Sequence, residues 1–279
     1  MKPQNLVLRL AFAGGFPLVK LLEFPQTMLR EVVRTKFPRL PSRNNVISMD
    51  AALLERREAE LRRQLARFSR WMYRLGYAPG TAGNLSVRLD DSRILATPTG
   101  CSKYLLRPAD MVITDLNGQL LCGTRNVTSE IGMHLAIYRI RPDVQAVVHA
   151  HPPLATAFAS CGLALDIPLC AELVMTLGSI PLAPYATTGT EELAASIEAL
   201  LPDHDAILLA NHGAVTCGKD LLDALMKMET TEHFANVSLA AREIGTPRPL
   251  NDQALRTLKL ARDRYLANVT TDVCRRTEL

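Results

Sequence analysis

The chain has 279 residues, of which 48% are hydrophobic, 22% charged and 5% aromatic, enough to bury a core and too apolar for disorder. The net charge of +4 is lopsided: residues 1–48 carry eight basic residues against Glu23 and Glu31, a balance of +6 that leaves −2 for the remainder. A slightly acidic body gives no support to a nucleic-acid surface, and every apolar run stops well short of the roughly 20 residues of a membrane span.

Residues 1–48 read as a basic N-terminal extension without a clean signal-peptide core or cleavage site. Met49, followed by Asp50 and a strong helix pattern, offers an alternative native start, so the domain is taken as 49–279. From Asp50 to Gly76 the residues Leu61, Leu65, Phe68, Trp71, Met72 and Leu75 recur at helical spacing. The pattern then turns to period two. Strands are predicted over 85–89 and 94–97, joined at Asp90-Asp91-Ser92, and over 112–115 and 119–121 around Asn117-Gly118, a hairpin signal. A helix is predicted over 129–140, a strand over 146–151, a helix over 173–177 and a strand over 180–182. A helix over 191–200, a strand over 206–210 and helices over 220–243 and 252–268 complete the series. Alternation without repeats predicts one α/β domain with a mixed sheet. The six cysteines stand singly, with no C-x-x-C pair, which fits a reducing, cytoplasmic compartment.

His149 and His151 share one side of a strand, 6.6–6.8 Å apart along the chain, a spacing that lets two imidazoles converge on one ion. His212 follows an apolar strand and precedes Gly213, where backbone or substrate can approach closely. Glu130 stands at the start of the helix that runs into the H-x-H strand. Three histidines and a carboxylate suit zinc best, with manganese, cobalt or iron as alternatives. His134, one turn beyond Glu130, reads as a packing or supporting residue, and His204 and His233 read as surface residues. Gly80-Thr81-Ala82-Gly83-Asn84, Thr97-Pro98-Thr99-Gly100 and Thr128-Ser129 expose hydroxyl and backbone N–H donors of the kind a phosphate needs. Ordinary turns use the same residues.

These motifs, in this order, resemble the class II aldolase and adducin head-domain family over about residues 50–270, with intervals close to those of fuculose-1-phosphate aldolase. The resemblance implies a three-layer α/β/α domain with a mostly antiparallel sheet, assembled as a homotetramer. It makes His149, His151 and His212 zinc ligands, and Glu130 both the fourth ligand and the catalytic base. Gly83, Asn84, Thr99, Gly100, Thr128 and Ser129 would hold the phosphate of a sugar substrate. The implied reaction is retro-aldol cleavage of a ketose 1-phosphate to dihydroxyacetone phosphate and an aldehyde. Dehydration of a methylthioribulose-1-phosphate-like substrate, decarboxylation and epimerisation are the family's alternatives; family epimerases generally carry aspartate at the position of Glu130. The complete ligand set speaks against a non-enzymatic adducin-like module. The aldolase's aldehyde-protonating tyrosine has no counterpart in Pro168-Leu169-Cys170-Ala171-Glu172, which leaves Glu172 as the candidate acid there. Tyr265 matches the spacing of a mobile C-terminal tyrosine.

Overall fold

A computed structural model describes the backbone of residues 51–275 and the side chains of 53–264. The basic extension lies outside the described residues. Helix α1 (Ala51–Arg74) buries Leu65, Ala66, Phe68 and Met72. It stops at Gly76, whose φ of 79° lets Tyr77 N–H reach back to Met72 O and Gly76 N–H to Tyr73 O. That paired closure satisfies two carbonyls the helix end would leave bare.

Eight strands follow in one sheet: β1 (Asn84–Arg88), β2 (Arg93–Ala96), β3 (Val112–Asp115), β4 (Leu120–Cys122), β5 (Ala146–Ala150), β6 (Leu182–Ala183), β7 (Ala206–Leu209) and β8 (Gly213–Gly218). Their order is β4-β3-β2-β1-β5-β8-β7-β6, antiparallel at every pairing except β6 with β7. The period-two pattern sorts side chains to two cores. On one face Leu85, Val87, Val148, Leu208 and Ala214 pack with α1, α3 (Pro153–Ser160), α4 (Ala171–Thr176) and α6 (Leu221–Ile244). On the other, Val147, Ile207, Leu209 and Val215 pack with α2 (Ile131–Ile140) and α5 (Glu191–Glu198). Helices on both faces make the three layers that the resemblance implied. A last helix, α7 (Asp252–Arg275), packs on α4.

One α-helix and one strand lie beyond what the pattern predicted. Helix α3 has eight residues, nearly all apolar, with proline at its first position, too short to show a helical stripe. Strand β8 is buried along its whole length, so it lacks the alternation that marks a half-exposed strand. Several boundaries shift: α2 begins at Ile131 rather than residue 129, α4 at Ala171 rather than 173, and the short strand β6 sits at Leu182–Ala183. The Asn117-Gly118 hairpin is closed by Asp115, whose carboxylate accepts the N–H groups of Asn117 and Gln119 at 2.8 and 2.9 Å.

A charged cluster ties the lower ends of these elements together. Lys227 of α6 donates to Asp205 and to Asp223, each at 2.9 Å, and Arg141, just after α2, donates to Asp205 at 3.0 Å. Burial alone would raise the Asp205 carboxyl, but the two cations outweigh it and hold it below the ordinary range. A carboxyl so lowered contributes stability above its unfolded value of about 3.9 and loses that contribution as pH falls through its folded value. Asp205→Asn should therefore cost about 1–3 kcal/mol at neutral pH. Urea unfolding should show the deficit shrinking as the buffer is taken below pH 4; a deficit independent of pH would contradict the assignment.

Candidate active site

The three histidines are carried by neighbouring parts of the sheet. His149 is the fourth residue of β5, opposite Asn84 on β1 and Val215 on β8, and is fully buried. His151 follows two residues later, where the chain leaves the sheet for α3. The carboxylate of Glu232, on α6, accepts the N–H groups of Leu154 and Ala155 at 2.8–3.1 Å, which caps α3 and holds the corner beside His151. His212 sits in the β7–β8 hairpin, whose preceding residue Asn211 is the one non-glycine at positive φ, 56°, among the described residues. Asparagine tolerates that conformation. A Cβ on Gly213 would come within 2.5 Å of Ala150 O and 2.8 Å of the His151 ring, so only glycine lets this hairpin close on β5.

The imidazoles gather tightly, with centroids 4.6–5.0 Å apart and a set of ring nitrogens all within 4.8 Å of one another. His149 Nδ1 donates to Ala214 O at 2.9 Å, because a carbonyl can only accept, and burial pushes the ring's pKa down to about 3. The neutral ring therefore turns the lone pair of Nε2 into the site. His151 Nε2 lies 3.1 Å from it. His151 is also lowered by burial.

Glu130 completes the cluster from the N-terminus of α2, its Oε2 3.3 Å from His149 Nε2 and its Oε1 3.1 Å from His212 Nε2. Burial alone would raise its carboxyl, but His149, His212 and the Asn84 amide hold it well below the ordinary range. Two acceptors, His149 Nε2 and Glu130 Oε2, thus face each other without a proton between them, and buried Oε1 has no hydrogen-bond partner. A shared cation removes both conflicts, so this donor set fits a divalent transition metal.

A hydrogen-bond chain holds Glu130 from behind. Asn84 Nδ2 donates to Glu130 Oε2 at 2.7 Å, which turns Asn84 Oδ1 to His134 Nε2 at 2.5 Å. His134 must donate there, so its Nδ1 accepts from Ser86 Oγ at 2.7 Å, and Ser86 accepts from the Tyr138 hydroxyl at 2.8 Å. Burial keeps His134 neutral, with a pKa near 3, which this single direction of donation requires. The chain runs from Tyr138 through Ser86, His134 and Asn84 into one carboxylate oxygen. His134 is thus a supporting residue of the site as well as a core residue.

The three glycine and hydroxyl segments meet beside this cluster. Thr97 N–H bonds Leu85 O, Pro98 bridges Val127, and Thr99 N–H bonds Asn126 O at 3.1 Å. Gly83 is required by its φ of 71° and because a Cβ would meet His149 O at 2.9 Å. Thr99, Gly100 and Ser129 are exposed and Thr128 is buried, whereas the Asn84 side chain is engaged with Glu130 and His134. Lys103, which the sequence reading passed over, is 1% exposed beside these loops. Burial lowers its pKa to about 8, partly offset by Cys101 and Glu130.

Glu172 is not drawn to the histidines. It is exposed on α4 and lines, with Cys170, Glu229 and His233, a cavity against α6 that none of the three histidines lines. Tyr265 belongs to α7, but its side chain lies outside the described residues. His233 is exposed, and His204 is half-buried and bonded to Ser179 and Leu200 O.

Residues 63–239 match the sequence profile of the class II aldolase and adducin N-terminal domain. The chain is 39% identical over 185 residues to the 3-oxo-tetronate 4-phosphate decarboxylase of Escherichia coli, covering 64% of this chain and 86% of that one. It is 34% identical over 200 residues to the 5-deoxy-D-ribulose 1-phosphate aldolase of Bacillus thuringiensis, covering 71% and 92%. The crystal structure of L-fuculose-1-phosphate aldolase from Thermus thermophilus superposes with a TM-score of 0.60 at 31% identity, covering 69% and 99%. The chain belongs to the class II aldolase and adducin N-terminal domain family, on its enzymatic, class II aldolase side.

Proposed function

We propose that the protein is a metal-dependent lyase that breaks the bond between the α- and β-carbons of a phosphorylated ketone substrate and leaves dihydroxyacetone phosphate. The observation that carries this reading is the convergence of His149, His151, His212 and Glu130 around one point. A divalent ion held by these four residues, zinc by the donor set, supplies Lewis acidity at the substrate's carbonyl oxygen. Glu130, charged in the resting site, takes up a proton from solvent and delivers it to the carbon next to the ketone after the bond has broken. Asn84 and His134 aim the carboxylate for that transfer. Gly83, Thr99, Gly100, Thr128 and Ser129 present donors to the phosphate, and the Asn84 backbone joins them. The assembly consistent with the family is a homotetramer, and the compartment is the cytoplasm.

The preferred substrate is a ketose 1-phosphate, cleaved by retro-aldol reaction, as the name of the Bacillus thuringiensis relative suggests. Here the substrate's C4 hydroxyl loses its proton, the C3–C4 pair passes to C3, and an aldehyde departs. Decarboxylation of a phosphorylated 3-oxo acid is the second reading, favoured by the 39% identity to the decarboxylase. There the same pair is left when carbon dioxide departs, and the same protonation gives the same product. Glu130 serves both routes. Glu172 and Tyr265 remain candidates for the acid and base work at the departing aldehyde.

Purified protein incubated with a panel of ketose 1-phosphates and a phosphorylated 3-oxo acid should release dihydroxyacetone phosphate, read by a coupled reductase. An equimolar aldehyde selects the aldol route and carbon dioxide the second reading; no dihydroxyacetone phosphate from any substrate would overturn both. Glu130→Gln should lower kcat by roughly 10²–10⁴-fold, the range for one acid–base group, and keep bound metal.

The hydrogen-bond chain gives a separate expectation. His134→Ala should lower kcat about 10-fold or more with KM and metal content little changed, the loss of one hydrogen bond to a charged acceptor's partner. His134→Gln, whose amide can still donate to Asn84, should recover part of that loss. Equal kcat in the two variants would show that His134 only fills space.

A further inference from the structure

The buried ammonium of Lys103 presents a charge without a salt-bridge partner at the edge of the site. Its Nζ donates to Thr81 O and to Cys101 O, each at 3.0 Å. Thr81 belongs to the Gly80–Asn84 segment and Cys101 follows Thr99-Gly100, so the ammonium stands between two of the segments assigned to phosphate. An ammonium has three N–H groups, and these bonds use two. No carboxylate lies within salt-bridge distance of it among the described residues. Two carbonyls take two of its hydrogen bonds, and Glu130, beyond salt-bridge distance, only partly offsets the burial of its charge, an expensive state for a side chain that is 1% exposed.

We infer that Lys103 is a substrate-binding residue, whose ammonium pairs with the phosphate of the substrate when that phosphate settles on the Gly80–Asn84 and Thr97–Gly100 segments. The inference rests on the phosphorylated-substrate reading above and adds a charge to a cradle otherwise built from neutral donors. With a pKa near 8 the side chain keeps its proton at neutral pH. The carbonyl bonds fix the ammonium in place before substrate arrives, so little side-chain entropy is lost on binding. Its stem is packed among buried groups, unlike that of a surface lysine.

The competing role is mechanical: a staple that holds two loops through their carbonyls. A staple needs donors but not charge. Competitive inhibition by inorganic phosphate, measured against a turned-over ketose 1-phosphate, separates the two roles. Lys103→Gln and Lys103→Met should weaken inhibition by inorganic phosphate and raise KM by about 10–100-fold, the usual worth of a charged hydrogen bond. Their kcat and metal content should change little. Lys103→Arg should retain most of the phosphate affinity. A Lys103→Gln protein inhibited by phosphate as well as the wild type would overturn the inference and leave the phosphate reading standing. A wild-type protein indifferent to phosphate, and equally active on the unphosphorylated ketose, would overturn both. If the neutral variants do not fold, lysine-selective ¹⁵N spectra of the wild-type protein read the same contact. The ammonium resonance missing from Lys103→Arg should shift on titration with inorganic phosphate, and a resonance that does not move would overturn the inference.

Discussion

A buried carboxylate facing three imidazoles is the constraint around which this site is arranged. Glu130 cannot keep its charge in that position without compensation. Helix α2 brings its N-terminus to the group, β5 brings His149, and the β7–β8 hairpin brings His212. His149 is turned from outside the cluster by the carbonyl of Ala214, and Glu232 on α6 holds the backbone corner that follows His151. The positive charge that such a constellation lacks is what a divalent ion brings.

The same carboxylate is held in place by the chain from Tyr138 to Asn84, which the proposed proton transfer would use. Every donor in it points one way, toward Glu130 Oε2, so no member can reverse without breaking a neighbour. Asn84 is shared between this chain and the phosphate loops, because the residue that carries the amide also begins β1. In the proposed reaction, substrate phosphate and the Glu130 carboxylate would both be referred to this single backbone position. Lys103 stands between the two glycine segments, bonded to Thr81 O and Cys101 O.

Much of this was legible before the structure. The His149/His151 spacing, the glycine after His212 and the helix start at Glu130 are local features, and local features survive in a one-dimensional pattern. The partners were not. Asn84 and Glu130 are 46 residues apart and meet because β1 pairs with β5, a register no local pattern encodes. Strand β8 escaped notice because burial on both faces removes alternation, and its loss hid the hairpin that aims His212. Lys103 escaped for the opposite reason: lysine in a turn reads as a solvated side chain, and its burial depends on loops from two separate segments. Glu172 stands on α4 beside a cavity lined by α6 residues, a placement that its sequence proximity to the expected acid does not encode.

The central claim is that one transition ion sits among His149, His151, His212 and Glu130. Elemental analysis of protein purified without chelator, combined with X-ray absorption at the edge of the metal found, tests it most directly. The account predicts about one ion per chain in a shell of nitrogen and oxygen donors at about 2.0–2.2 Å, with the ion lost in His149→Ala. Protein that turns over substrate while holding no stoichiometric transition metal, or an ion that persists unchanged in His149→Ala, would contradict it.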